Sequence, residues 1–142
     1  MKNLFIILVI FSLFSCDDPQ YNDLLPDKAI DVTINLNLPA YISLQTPGGW
    51  AETSTKENLG HGFKGLFIYR SNSRYYAYER ACPHKDVDAC EPMTFDGSFL
   101  ICPCDQSKFN FLNGGGSTDV TYRAREYHVQ EINSATLRIT NY

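Results

Sequence analysis

The residues best suited to chemistry are gathered in Cys82-Pro83-His84 and Cys102-Pro103-Cys104-Asp105, with Cys90 between them. This stretch holds four of the chain's five cysteines and one of its three histidines. A Cys-x-His pair offers one thiolate and one imidazole from the tip of a single loop. Cys-x-x-Asp offers a second thiolate and a carboxylate oxygen from another. Two such loops facing each other would close a four-ligand pocket from Cys82, His84, Cys102 and Asp105. Exchanging Cys104 for Asp105 as the fourth ligand gives three Cys and one His, at the cost of crowding Cys102. Zinc is chemically possible on the same donors. In an oxidising compartment the four cysteines can instead pair with one another, and four allow three pairings.

The start of the chain bears on that compartment. One positive charge, Lys2, precedes an apolar run over residues 4–14 that is too short for an ordinary membrane span. Leu13-Phe14-Ser15-Cys16 looks like a bacterial lipobox, in which the leader is cut before the Cys and its thiol receives diacylglycerol. The expected organisation is a lipoprotein signal peptide over 1–15, lipidated Cys16 with a tether over 16–29 that Leu24-Leu25-Pro26 dock on the domain, and a domain over 30–142. Such a chain would be exported to the bacterial cell envelope, anchored to a membrane by Cys16 and soluble beyond it. Loss of Lys2 would leave 11 basic groups against 16 acidic, a net charge of −5. With no basic patch or Lys/Arg run, nucleic acid is not an expected partner.

Stepping outward from the pocket, Tyr75 to Glu79 reads as a strand that delivers Arg80-Ala81 into Cys82. Its partner is Gly65 to Tyr69, across a turn at Ser71-Asn72-Ser73. Asp96-Gly97 between Thr94-Phe95 and Ser98 to Ile101 is a strong hairpin signal, and the second strand runs into Cys102. Upstream, Ile30, Val32, Ile34, Leu36 and Leu38 alternate with polar residues, the pattern of a half-buried strand that Pro39 ends. Tyr41 to Leu44 is a short apolar segment and Thr46 to Gly49 a turn, while residues 51–62 carry no recognisable chemistry. Lys108 to Leu112 leads to Asn113-Gly114-Gly115-Gly116, a tight turn rather than a phosphate cradle, because no helix follows. Tyr127 to Val129 and Ala135 to Thr140 form a last hairpin. No amphipathic helix is evident, so the chain reads as all-β, a sandwich or small barrel.

Cys82-Pro83-His84 with Cys102-Pro103-Cys104-Asp105-Gln106-Ser107-Lys108-Phe109 resembles the two cluster loops of small Rieske-type [2Fe–2S] proteins. The likeness spans roughly residues 30–142, with its specific part over 76–115. It implies a β-sandwich of three stacked antiparallel sheets with the cluster at one tip. It also implies Cys82 and Cys102 on one iron, and His84 with Asp105 on the other. The chain departs from the pattern at Asp105, where the family has a second His, and at Gln106, where Gly is common. A carboxylate in place of an imidazole adds negative charge, so a lower potential and a weaker pH dependence than an ordinary Rieske centre are expected. The middle Cys of Cys-Pro-Cys is a disulfide partner in the family, which pairs Cys104 with Cys90. The insertion Lys85-Asp86-Val87-Asp88-Ala89 lengthens that first loop. The implied role is one-electron transfer with a redox partner protein of the envelope.

The opposing reading is a Rieske fold that has lost its cluster. Cys82–Cys102 and Cys90–Cys104 would then be two structural bridges, His84 a loop residue and Asp105 a turn former. Such a domain would bind another protein or scaffold an assembly. His61 and His128 are isolated and read as surface or core residues. Trp50 and the Tyr75, Tyr76, Tyr78 group read as sandwich packing. No second domain houses a mononuclear iron site, and no Ser-His-Asp or Cys-His catalytic constellation is evident.

Overall fold

The computed structural model describes residues 23–54 and 61–141. The expected leader, Cys16 and the first part of the tether lie outside the described residues. Regular structure among the described residues consists of ten strands and three short 3-10 turns. In chain order the strands are β1 (Asp31–Asn35), β2 (Trp50–Glu52), β3 (Leu66–Arg70), β4 (Tyr75–Glu79), β5 (Thr94–Phe95), β6 (Leu100–Ile101), β7 (Lys108–Asn110), β8 (Gly116–Ser117), β9 (Glu126–Asn133) and β10 (Thr136–Thr140). One sheet has the order β1-β10-β9-β4-β3-β2 and the other β5-β6-β7-β8, with every pair antiparallel.

The three sheets implied by the resemblance are present as three layers, two of which are continuous. β9 makes the join: its first residues, Glu126 and Tyr127, pair with β4, and the rest of the strand pairs with β10. The sheet curls on itself there, so that Val32 and Ile34 of β1 share one core with Leu66 and Ile68 of β3. The opposite face of β3 and β4, through Phe67 and Tyr78, packs on Met93, Leu100, Phe109 and Phe111 of the four-stranded layer. β3 and β4 are therefore buried on both faces, which is why they read as near-continuous apolar runs rather than alternating ones. Cys82, Cys90 and Cys102 belong to this second core.

One local expectation is corrected and two are refined. The first strand stops at Asn35, and Leu38 is exposed. Asn35 Oδ1 accepts from the Asn37 amide at 3.0 Å, a side-chain turn that competes with the ladder before Pro39 is reached. The short apolar segment at Tyr41 to Leu44 leads into a 3-10 turn, Ile42–Gln45, and β2 had no periodic signal because it is a three-residue edge strand. Trp50 is 44% exposed: one side of its indole meets Phe67 and Phe95, and the remainder faces solvent.

The end of the expected tether docks on the domain, as Leu24-Leu25-Pro26 suggested. Leu25 is buried, and the Leu24 amide donates to the Pro83 carbonyl at 2.7 Å. Arg125 grips Asp23 through two nitrogens and donates to the carbonyls of Leu25 and Pro26. Asp23 to Pro26 are thus held against the domain by side-chain and backbone contacts.

Candidate metal centre

Two loops meet above the second core. The first leaves β4 and returns at Met93, and its base is closed by Met93 N–H donating to the Arg80 carbonyl and Arg80 Nε donating to the Met93 carbonyl. The second is the short β6–β7 connection, pinned by Cys102 N–H to the Ser107 carbonyl and Gln106 N–H to the Cys102 carbonyl. Gln106 sits at φ 64°, the left-handed region. That conformation costs an L-residue of this kind about 1–2 kcal/mol and explains why glycine suits the position.

The base of the first loop is held from below by Glu79, a fully buried carboxylate that sequence reasoning passed over. It accepts from Phe63 N–H (2.8 Å), Lys64 N–H (2.9 Å), Ala81 N–H (3.1 Å) and the Tyr127 hydroxyl (3.0 Å). Four donors satisfy the charge that burial would otherwise make costly. Burial and the facing Glu79 carboxylate push the Tyr127 phenol well above its ordinary range, so it stays a donor. Gly62 is required beside it, since a Cβ there would lie 2.1 Å from Glu79 Oε2.

The four cysteines join the two loops. Cys82 is bonded to Cys102 and Cys90 to Cys104, with Cα separations of 5.6 and 5.8 Å. The inserted residues 85–89 make this reach possible by winding into a 3-10 turn, Val87–Ala89, whose preceding Asp86 side chain accepts from Asp88 N–H. Cys82, Cys90 and Cys102 bring their sulfurs within 4.8 Å of one another, and His84, Cys102 and Asp105 form a second such group.

His84 and Asp105, from opposite loops, are in direct contact: Nε2 lies 2.6 Å from Asp105 Oδ2. Lys85 Nζ is 2.9 Å from the same oxygen, while Oδ1 accepts from Ser107 N–H and Oγ. The usual four acceptor positions of a carboxylate are therefore all in use. Burial raises the Asp105 carboxyl, but the hydrogen bonds from His84, Lys85 and Ser107 outweigh it and hold the group well below the usual carboxylate range. The His84 ring is wedged against Phe109 and Tyr122, with its side chain only 5% exposed, and its Nδ1 is buried with no hydrogen-bond partner. Lys85 and Tyr122 carried no signal in the sequence. Lys85 looked like part of an insertion, and Tyr122 arrives from the segment before β9.

Of the residues expected at the site, Cys82, His84, Cys102 and Asp105 come together, with Cys90 and Cys104 beside them. His128 is exposed on β9 and His61 is buried, and neither belongs to a metal-capable group among the described residues. The model of the Rieske [2Fe-2S] domain family matches residues 50–131 of the chain. Among solved structures, a chain from the complex of reduced oxygenase and oxidized ferredoxin in carbazole 1,9a-dioxygenase is similar at TM-score 0.51 and 21% identity, over 80% of this chain and 95% of that one. A putative NADH-dependent nitrite reductase small subunit from Mycobacterium tuberculosis has TM-score 0.49 and 14% identity, over 82% of this chain and 98% of that one. No curated protein sequence matches the chain.

Proposed function

The chain belongs to the Rieske [2Fe-2S] domain family, and on that premise we propose that it is a one-electron carrier held at a bacterial envelope through lipidated Cys16. The family implies a [2Fe–2S] cluster, and Cys82, His84, Cys102 and Asp105 form the group that could hold it. The observation that carries the reading is the pair of buried sulfurs, Cys82 and Cys102, delivered by opposite loops next to a His84 whose Nδ1 lacks a partner. A buried imidazole nitrogen without a hydrogen bond is costly unless a ligand takes it up. When bound, the cluster supplies one-electron transfer.

In this reading Cys82 and Cys102 would hold one iron, and His84 and Asp105 the other. Phe109 and Tyr122 fix the imidazole plane, and Lys85 offsets part of the Asp105 charge. Partner exchange is carried over from the ferredoxin–oxygenase complex among the structural neighbours. The filled acceptor positions of Asp105 favour a variant of the ligand set. There, His84 would bind through Nδ1 while Asp105 holds the ring from Nε2, as carboxylates commonly do for metal-bound histidines.

The Cys82–Cys102 bridge favours a second reading, a cluster-free domain stapled by two disulfides that binds another envelope protein. Iron and acid-labile sulfide analysis of anaerobically purified full chain separates the two. Two irons and two sulfides per chain, with a reddish-brown visible spectrum, are expected for the carrier. A colourless protein with no free thiols would leave the stapled domain. On the iron-loaded chain, Asp105→Asn keeps the metal content if Asp105 orients His84, and Asp105→Ala abolishes it if Asp105 is a ligand.

A further inference from the structure

We propose that the Cys90–Cys104 disulfide is a port through which an external dithiol opens the buried Cys82–Cys102 bridge, by thiol–disulfide relay through Cys90. The exposures require some such route. Cys82 is 3% and Cys102 0% exposed, so a reductant in solution has no direct approach to their bond. Cys104 is exposed, at the surface of the second loop. Cys90 lies between the two bridges: it is bonded to Cys104, and its sulfur is within 4.8 Å of both Cys82 and Cys102.

The exchange balances in four steps, each the attack of a thiolate on a disulfide sulfur. A dithiol first attacks Cys104 Sγ, and the Cys90–Cys104 bond breaks with Cys90 leaving as thiolate. The second thiol of the reductant then displaces Cys104, closing the reductant to its own disulfide. Next, Cys90 attacks Cys102 Sγ, the Cys82–Cys102 bond breaks, and Cys82 leaves as thiolate. Finally, Cys104 attacks Cys90 Sγ, restoring Cys90–Cys104 and releasing Cys102 as thiolate. In sum, one dithiol is oxidised by two electrons and one buried disulfide is reduced by two. The two thiol protons of the reductant pass to solvent or to the new thiolates. The outer bridge is unchanged at the end.

The relay would supply the free thiolates that the proposed cluster function needs, and it rests on that reading only for its purpose. The chemistry belongs to the four cysteines, and it is measured without iron. The purified full chain is treated with one equivalent of dithiothreitol, quenched in acid, alkylated and mapped by mass spectrometry. The expected product carries alkylated Cys82 and Cys102 with Cys90–Cys104 intact, and early quenching shows Cys90 joined to Cys102 or Cys82. Alkylation of Cys90 and Cys104 with Cys82–Cys102 retained would overturn the proposal in the unaltered chain. Two variants sharpen the test. Cys104→Ser, with Cys90 free, is expected to trap Cys90 in a bond to Cys102 or Cys82 without added reductant. Cys90→Ser is expected to slow reduction of Cys82–Cys102 at least tenfold. An unchanged rate in Cys90→Ser, or an alkylatable Cys90 beside an intact Cys82–Cys102 bond in Cys104→Ser, would refute the relay.

Discussion

Asp105 stands where the family has a second imidazole, and its surroundings show how one substitution is absorbed. The carboxylate meets His84 and Lys85 on one oxygen and Ser107 on the other, so its charge is neutralised locally by neighbours from both loops. Gln106 is the unrelieved half of the same departure. Replacing it by glycine removes the left-handed penalty and loses only an exposed amide contact to the Pro103 carbonyl. The extra freedom of glycine in the unfolded chain takes back part of the gain, so Gln106→Gly is expected to stabilise by up to about 1 kcal/mol in urea denaturation. Glu79 is the opposite case, a residue with no redundancy. Glu79→Ala strands the amides of Phe63, Lys64 and Ala81 in a buried site, and a loss of about 3 kcal/mol or more is expected in the same measurement. A loss below about 1 kcal/mol would mean that water replaces the carboxylate.

The elements that place the site are short, and their ends matter more than their lengths. β4 stops at Glu79, three residues before Cys82, and β6 at Ile101, directly before Cys102, so both loops rise from the same edge of the second core. The 3-10 turn after Lys85 takes up an insertion that a simple loop count would regard as disruptive. Residues 23–29 add a further element. They run from the buried Asp23–Arg125 pair past Leu25, and touch the first cluster loop at Pro83. Arg125→Met leaves Asp23 without its partner in a nearly dry site, with its side chain only 2% exposed. The segment is then expected to detach at a cost of about 3 kcal/mol. Hydrogen exchange at the Leu24 amide reports it directly, because that proton is held by the Pro83 carbonyl. Unchanged protection at Leu24 would show that Leu25 burial alone keeps the segment in place.

As a whole, the molecule divides its tasks between two cores. The first, enclosed by the curled sheet, contains none of the four described cysteines. The second supports the two loops and includes three of the bridged cysteines. Reducing both disulfides with excess dithiol should therefore leave the strand content intact by circular dichroism while lowering stability. Each bridge is worth about 3 kcal/mol by loop closure. Because both join the same pair of loops, the combined loss is expected to be well below twice that figure, as judged by the urea midpoint. Collapse of the far-ultraviolet signal on reduction would mean that the loops, rather than the first core, hold the sheets together.

Period-two alternation, Asp-Gly and the Gly run marked most of the strands and turns, because backbone sterics and one-sided burial act on neighbouring residues. Donor types and spacing brought Cys82, His84, Cys102 and Asp105 to attention, and the resemblance of their two motifs to a known family implied a Rieske-like arrangement. Local pattern was silent on β2, whose order comes from pairing with β3 rather than from its own pattern. It misplaced the end of β1, where one Asn side chain outcompeted the ladder. It could not reach Glu79, Arg125, Lys85 or Tyr122 as partners, since each is defined by contacts with distant segments. Nor could spacing reveal that Cys90 lies against Cys82 and Cys102, or that all four acceptor positions of Asp105 are taken. Donor types belong to the chain one residue at a time. Which donors are buried, bonded and adjacent depends on how β4 and β6 are set side by side over a shared core, and that is a property of the fold.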